Sequence, residues 1–329
     1  QVALSTNKKS EWKNEERGLS PTDIAMHVAL PEMDGRIFVG VASFKEKMLK
    51  DTRLEFNEIK HQSYKNGIKS ITKKIKAWIN LQKSPLKNKK LAFILSSYPG
   101  KNWQTAHAVG LDTVSSVEAM LKDLDYIDED EQLNIITNLN NKTIKWSVSN
   151  YKKALEKIPE KLKKDLLKKW GQPETDKICI NNSFVFRGFF LKNVFLAIQP
   201  ERSSVISKKN DYHDLDLLPS HGYVAFYLWL QYKMQCEGLI HVGAHGTLEW
   251  LPGKSVALSE YCWPEVLIGS MPVIYPFIMN DPGEAIQAKR RINAVTISHI
   301  PPTLVSAEKT KKFELLETLL DEFSNADGL

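Results

Sequence analysis

At 329 residues, with 42% hydrophobic and 26% charged side chains, the chain has the composition of a folded globular protein and length enough for two or three packed units. Its net charge of +6 comes from lysines on the polar side of amphipathic helical patterns, with no nucleic-acid-reading motif, which argues against a nucleic-acid partner. The longest strongly apolar run, Tyr223 to Leu230, is too short to cross a bilayer, and three scattered cysteines without a C-x-x-C pair argue against structural zinc and for a reducing, cytoplasmic setting.

The first residue is Gln1, which leads us to expect a segment of a longer protein. In chain order, "SPTDIA" has the Ser-Pro start of a short helix and "RIFVGVASF" reads as a strand. Residues 42–82 place apolar residues and lysines in a helical rhythm. A buried strand follows at 91–95, then a glycine-bearing loop to Gly110 and a helix from Asp112 or Thr113, a strand, loop, helix unit of a parallel sheet. Residues 129–170 read as helical, with Tyr151, Leu155, Ile158, Leu162, Leu166 and Trp170 recurring every three or four positions. After the hinge-like "GQPETD", "SFVFRGFFLKNVFLAIQP" predicts paired strands, and an aromatic helix covers 221–236. The strand "GLIHV" and the loop "GAHGTLEW" form a second strand, loop, helix unit. A helix at 283–293, the strand "AVTISHI" and a closing helix complete the chain. The expected fold is α/β, with mainly parallel sheets flanked by helices in two or three subdomains, at 1–88, 89–178 and 179–329.

The chemistry-bearing residues concentrate in "GLIHVGAHGTLEWLPGKS", residues 238–255. "LPGKS" resembles the end of a phosphate-binding loop, but that motif needs a glycine five positions before Gly253, where Leu248 stands, so any ATP is assigned to another chain. His241, His245 and Glu249 are spaced by four and four. A continuous helix through them would contain Gly243 and Gly246, each costing about 1 kcal/mol. The better reading puts His241 at the carboxyl end of a strand, His245 in the loop, and Thr247 as cap of a helix carrying Glu249 in its first turn. Ligand sites of open α/β sheets gather at that end of the strands.

Imidazole and carboxylate together hold divalent cations or accept protons. The same residues also suit a core histidine and an acid at a positive helix terminus. Upstream, His213, Asp214, Asp216 and His221 precede the aromatic helix, where Asp and Ser are equally ordinary turn and cap formers. Downstream, Lys289, Arg290 and Arg291 lie on a helix, and a guanidinium pair fits carboxylate recognition as well as a solvated surface.

Taken together, "GRIFVGVASFK", "AVGLDTVSSVEAML", "YHDLDLLPSHGYVAFYLWL" and the long run from "IHVGAHGTLEWLPGKS" to "NDPGEAIQAKRR" closely resemble the family of cobaltochelatase large subunits (CobN) and magnesium chelatase H subunits. "WPE" at Trp263 to Glu265 and the "YHDLDLLPSHGY" run look more like the cobalt enzymes. Ala244, where the family has a bulkier residue, and "QPERSSVISKKN" depart from the pattern. The resemblance implies insertion of Co2+, as substrate metal, into the corrinoid hydrogenobyrinic acid a,c-diamide. ATP and Mg2+ would be bound by AAA+ ATPase partners of the CobS and CobT type. It further implies that His245 and Glu249 deliver the metal or take the ring protons, supported by His241, while His213, His221, Lys254, Arg290 and Arg291 meet the macrocycle. A magnesium chelatase acting on protoporphyrin and a non-catalytic tetrapyrrole-binding protein are the alternatives.

Overall fold

The computed structural model describes residues 1–51, 53, 55–96, 111–203, 214–243, 246–278, 282–299 and 311–326. The chain begins with β1 (Ala3–Ser5) and α1 (Lys9–Asn14). Next, α2 (Pro21–Ile24) runs through a π-turn into α3 (Leu30–Met33). Ser20 caps α2 as "SPTD" predicts, accepting from the Asp23 N–H at 3.1 Å, and the Asp23 carboxylate reaches back to Ser5 Oγ and the Thr6 N–H. Then come β2 (Val41–Asp51), β3 (Phe56–Ser63) and α4 (Lys65–Lys83). β1 pairs parallel with β2 and β2 antiparallel with β3, giving a small three-stranded sheet. The helical rhythm at 42–82 therefore holds only from Lys65. Every residue of β3 is exposed, so no buried alternation marks it as a strand.

The larger sheet is built from β4 (Leu91–Leu95), β5 (Thr143–Ser147), β6 (Cys179–Ile180), β7 (Ser183–Leu191), β8 (Val194–Ile198), β9 (Gly238–Val242), β10 (Val273–Ile278) and β11 (Val295–His299). Its order is β11-β10-β9-β4-β8-β7-β5, with β6 beside β7. From β11 to β8 every neighbour is parallel, and the β5–β7 side is antiparallel. β4, β8 and β9 are buried at every position, which requires helices on both faces. Ala92, Ile94, Phe195 and Ala197 pack under the aromatic helix α9 (His221–Trp229), while Phe93, Leu95, Leu196 and Ile240 pack against the apolar sides of α5 (Thr113–Asp123) and α6 (Ile135–Asn141). α7 (Val148–Leu155), α8 (Glu160–Trp170), α10 (Trp263–Ile268) and α11 (Pro282–Ile292) join the α9 face.

Residues 1–299 form one compact unit and residues 300–329 a second, in which α12 (Lys311–Ala326) exposes Phe313, Leu316, Leu320 and Phe323. The expected boundary at 178/179 runs through one sheet, because β4 is hydrogen-bonded on both sides to strands from the 179–329 part. Among the described residues no helix is long and apolar enough to cross a membrane.

Candidate active site at the carboxyl ends of the parallel strands

Side-chain alternation sends His241 of β9 and Tyr275 of β10 to the same face of the sheet, since Val273 is level with Leu239 and Ile274 with Ile240. The two rings lie 4.9 Å apart between centroids. His241 is 1% exposed, and its Nδ1 is 3.0 Å from the Ile94 carbonyl of β4. A carbonyl only accepts, so Nδ1 carries the proton and the neutral ring's Nε2 is the basic nitrogen, turned toward Gly246.

Glu249, also 1% exposed, comes to the same place from the other side. The expected helix behind Thr247 is a single 3-10 turn, Leu248–Trp250, and Thr247 makes no side-chain cap. Its hydroxyl instead joins a buried network, 2.8 Å from Tyr223 Oη. Gln199 accepts from the Thr247 N–H and donates to the Tyr223 and Tyr227 hydroxyls. This network fixes the turn, and the turn aims the carboxylate. Glu249 Oε1 accepts from Tyr275 Oη at 3.0 Å and from the Gly246 N–H at 3.1 Å. The Gly246 N–H also reaches Tyr275 Oη. Glu249 Oε2 is buried with no hydrogen-bond partner among the described residues. Burial and the neighbouring Glu249 charge push the Tyr275 phenol well above its ordinary pKa, so Tyr275 stays protonated and serves as a donor.

Gly246 makes the convergence possible. A Cβ there would stand 2.0 Å from His241 Nε2 and 3.1 Å from Glu249 Oε2, so only the missing side chain admits both groups. The arrangement joins a nitrogen base to a carboxylate oxygen held from behind by two donors, which suits removing protons from a bound ring or briefly holding a cation. Among the described residues no group of three or more His, Cys, Asp or Glu is arranged to hold a resident metal.

Of the other expected site residues, those that are described stand elsewhere. His245 and His213 lie outside the described residues. His221 has both nitrogens engaged: Nε2 with the Gly171 carbonyl at 3.1 Å, hence as donor, and Nδ1 with Tyr151 Oη at 2.7 Å, hence as acceptor. It pins α9 against the Tyr151 region, and burial lowers its pKa. Arg291 is buried and donates to the carbonyls of Glu249, Leu251 and Lys254, so it splints the backbone behind the site, and burial lowers its pKa to about 10. Arg290 forms a forked pair with Glu32, with Nη2 to Oε2 at 2.9 Å. Lys254 turns to the carbonyls of Lys13 and Glu15 with its ammonium over the Trp12 ring. These cations bind other parts of the fold, because an unpaired buried charge costs more than the same charge given acceptors.

The sequence reading missed Gln199, the residue just past the carboxyl end of β8, Tyr275, inside β10, and Glu284, whose charge on the first turn of α11 acts on Tyr275. The available signal was a polar atom within or just after an otherwise apolar buried strand, which needs a partner.

Comparison with known proteins supplies the context. The family model described as CobN/Magnesium Chelatase matches residues 1–329. The chain is 36% identical to the aerobic cobaltochelatase subunit CobN of Sinorhizobium sp over 345 residues, covering all of this chain and 27% of that protein. It is 36% identical to the Pseudomonas aeruginosa subunit of the same name, covering all of this chain and 28% of that one. The chloroplastic magnesium-chelatase subunit ChlH of Oryza sativa subsp. indica is 28% identical over 96% of this chain and 23% of its own length. Among solved structures, the catalytic subunit of cobaltochelatase from Mycobacterium tuberculosis superposes with a TM-score of 0.78 at 31% identity, over 99% of this chain and 29% of that one. The chain thus spans about a quarter of the length of the relatives it matches, and with every residue inside the family model it belongs to the CobN/Magnesium Chelatase family.

Proposed function

We propose that this chain carries the proton-accepting site of a cobaltochelatase large subunit, which inserts Co2+ into the corrinoid hydrogenobyrinic acid a,c-diamide in the cytoplasm. The observation that carries the reading is the convergence of His241 Nε2 and the unbonded Glu249 Oε2 on Gly246. Metal insertion exchanges ring N–H protons for a dication that must shed its water, so a site needs bases that neither hold the metal permanently nor collapse onto one another. Tyr275 and the Gly246 N–H hold Oε1, which leaves Oε2 as the oxygen that takes the proton, while His241, fixed by the Ile94 carbonyl, offers the second base. His245 and His213 are assigned to the same site by the family resemblance. ATP and Mg2+ are assigned to AAA+ partner subunits, consistent with the incomplete "LPGKS" motif. The higher identity to the cobalt relatives favours cobalt over magnesium.

The test is reconstitution of the chain with the ATPase subunits and any further large-subunit segments, followed by optical measurement of metal insertion. Glu249→Gln keeps the shape and loses the base. We expect insertion to fall at least about a hundredfold while macrocycle binding and the fold persist. Normal cobalt insertion by this variant rejects the role of Glu249. Magnesium insertion into protoporphyrin with no cobalt activity reassigns the chain to the magnesium branch, and tight macrocycle binding without turnover in the complete assembly makes it a carrier.

A further inference from the structure

Away from this site, a cavity of about 610 Å3 opens between α4 and the ends of α7, α9 and α10. Its carboxylates are already spent. Glu265 takes the buried Lys74 ammonium at 2.7 Å and the Ser70 hydroxyl at 2.8 Å, and Glu260 takes Tyr64 Oη at 2.7 Å and the Asn66 amide at 3.2 Å. Its deep cations are spent as well: Lys74 on Glu265, Arg290 on Glu32, and Arg291 on backbone carbonyls. What remains is a rim of exposed lysines on two facing walls. Lys69 and Lys73 stand one turn apart on α4 with no ion pair among the described residues, and Lys157 across the cavity lies 3.9 Å over the ring of the partly exposed Tyr232. Tyr232, Val266 and Leu258 leave apolar surface between the walls.

We propose that this cavity binds an acidic peptide segment, with carboxylates on Lys69, Lys73 and Lys157 and apolar side chains against Tyr232 and Val266. A site for a small inorganic anion gathers buried donors around one point, whereas here the deep donors are already committed, Lys74 and Arg290 to carboxylates and Arg291 to backbone carbonyls. The uncommitted ones are long, exposed and spread along a rim around apolar surface, the division of labour of a peptide interface, in which rim charge steers and sets register while the apolar centre holds. This proposal is independent of the metal-insertion reading.

The full chain is titrated, at an ionic strength of about 0.15 M, where charges more than about 8 Å apart are largely screened, into a fluorescein-labelled peptide alternating Glu and Leu, with binding read as fluorescence anisotropy. Saturable binding is expected, weakened at least about tenfold by the Gln-for-Glu peptide and by the double variant Lys69→Glu, Lys73→Glu. The double variant Lys83→Glu, Lys87→Glu, with the same charge change at and just beyond the far end of α4 and outside the cavity, is expected to stay within about twofold of the parent. No measurable binding, equal binding of the Gln peptide, or equal weakening by the two double variants overturns the proposal. So does displacement of the peptide by an equal concentration of pyrophosphate, which would make the cavity a phosphate site.

Discussion

At the scale of single residues, the position of a partner decides what a charged side chain does, and that partner is seldom a sequence neighbour. The sequence singles out His245 and Glu249 with His241 in support, in a glycine-rich stretch after a strand; the structure brings His241 and Glu249 together, and His245 lies outside the described residues. Arg291, Lys254 and His221 looked equally chemical, yet each is consumed by backbone carbonyls or a tyrosine from a distant part of the chain. Gly246 tests the convergence directly. Gly246→Ala forces its Cβ against His241 Nε2, so we expect overpacking of about 1–3 kcal/mol in denaturant unfolding and a loss of insertion activity beyond that caused by instability. Unchanged activity in a folded variant would mean that the two groups need not meet. His221 yields a pH prediction of definite sign. Burial holds its folded pKa below that of the unfolded chain, so its share of stability is complete above the unfolded value of about 6.5 and is lost as pH falls toward the lowered folded pKa, because the unfolded chain then binds the extra proton. His221→Gln should flatten the fall in Tm between neutral and mildly acidic pH, and an unaltered slope would show that the group does not titrate between the two states.

At the scale of elements, the buried strands and amphipathic helices were readable because burial writes a period into the sequence. β7, β8, β9, α5 and α11 stand close to where the pattern put them. β3 was unreadable because it buries nothing, and β5, an edge strand with only Trp146 buried, was hidden among helices. The attachment of α4 to α10 was equally invisible, since it rests on the pair Lys74–Glu265, whose members are 191 residues apart in sequence. Removing one member leaves a nearly buried charge without its partner, so Lys74→Met should cost about 3–5 kcal/mol in chemical unfolding. Lys74→Met with Glu265→Leu should recover most of that loss. A double variant as unstable as the single one would show that the pair, rather than the uncompensated charge, carries the stability.

At the scale of the whole molecule, the strand order could not be read from the sequence, and the order creates the site: β4 supplies the Ile94 carbonyl, β8 leads to Gln199, β9 carries His241 and β10 carries Tyr275. The small N-terminal sheet also belongs to this framework. Trp12 packs at a tilt against Phe44 at 5.0 Å and edge-on against Tyr64 at 5.4 Å, and its indole N–H donates to the Ala257 carbonyl at 3.0 Å. The Ser255 and Val256 N–H groups bond the carbonyls of Glu16 and Arg17. The segment just beyond Glu249 is therefore clamped between Arg291 on one side and the first strand and helix of the chain on the other. If residues 1–88 were a separate folding unit, damage to their core would give a second, earlier transition and spare the large sheet. The shared core instead predicts that Trp12→Ala, worth about 3–5 kcal/mol, lowers one common transition, seen alike by far-ultraviolet dichroism and by a probe attached at the partly exposed Cys179 on β6 of the large sheet. That transition should carry macrocycle binding down with it. Two separated transitions would detach the N-terminal sheet from the framework that holds Glu249.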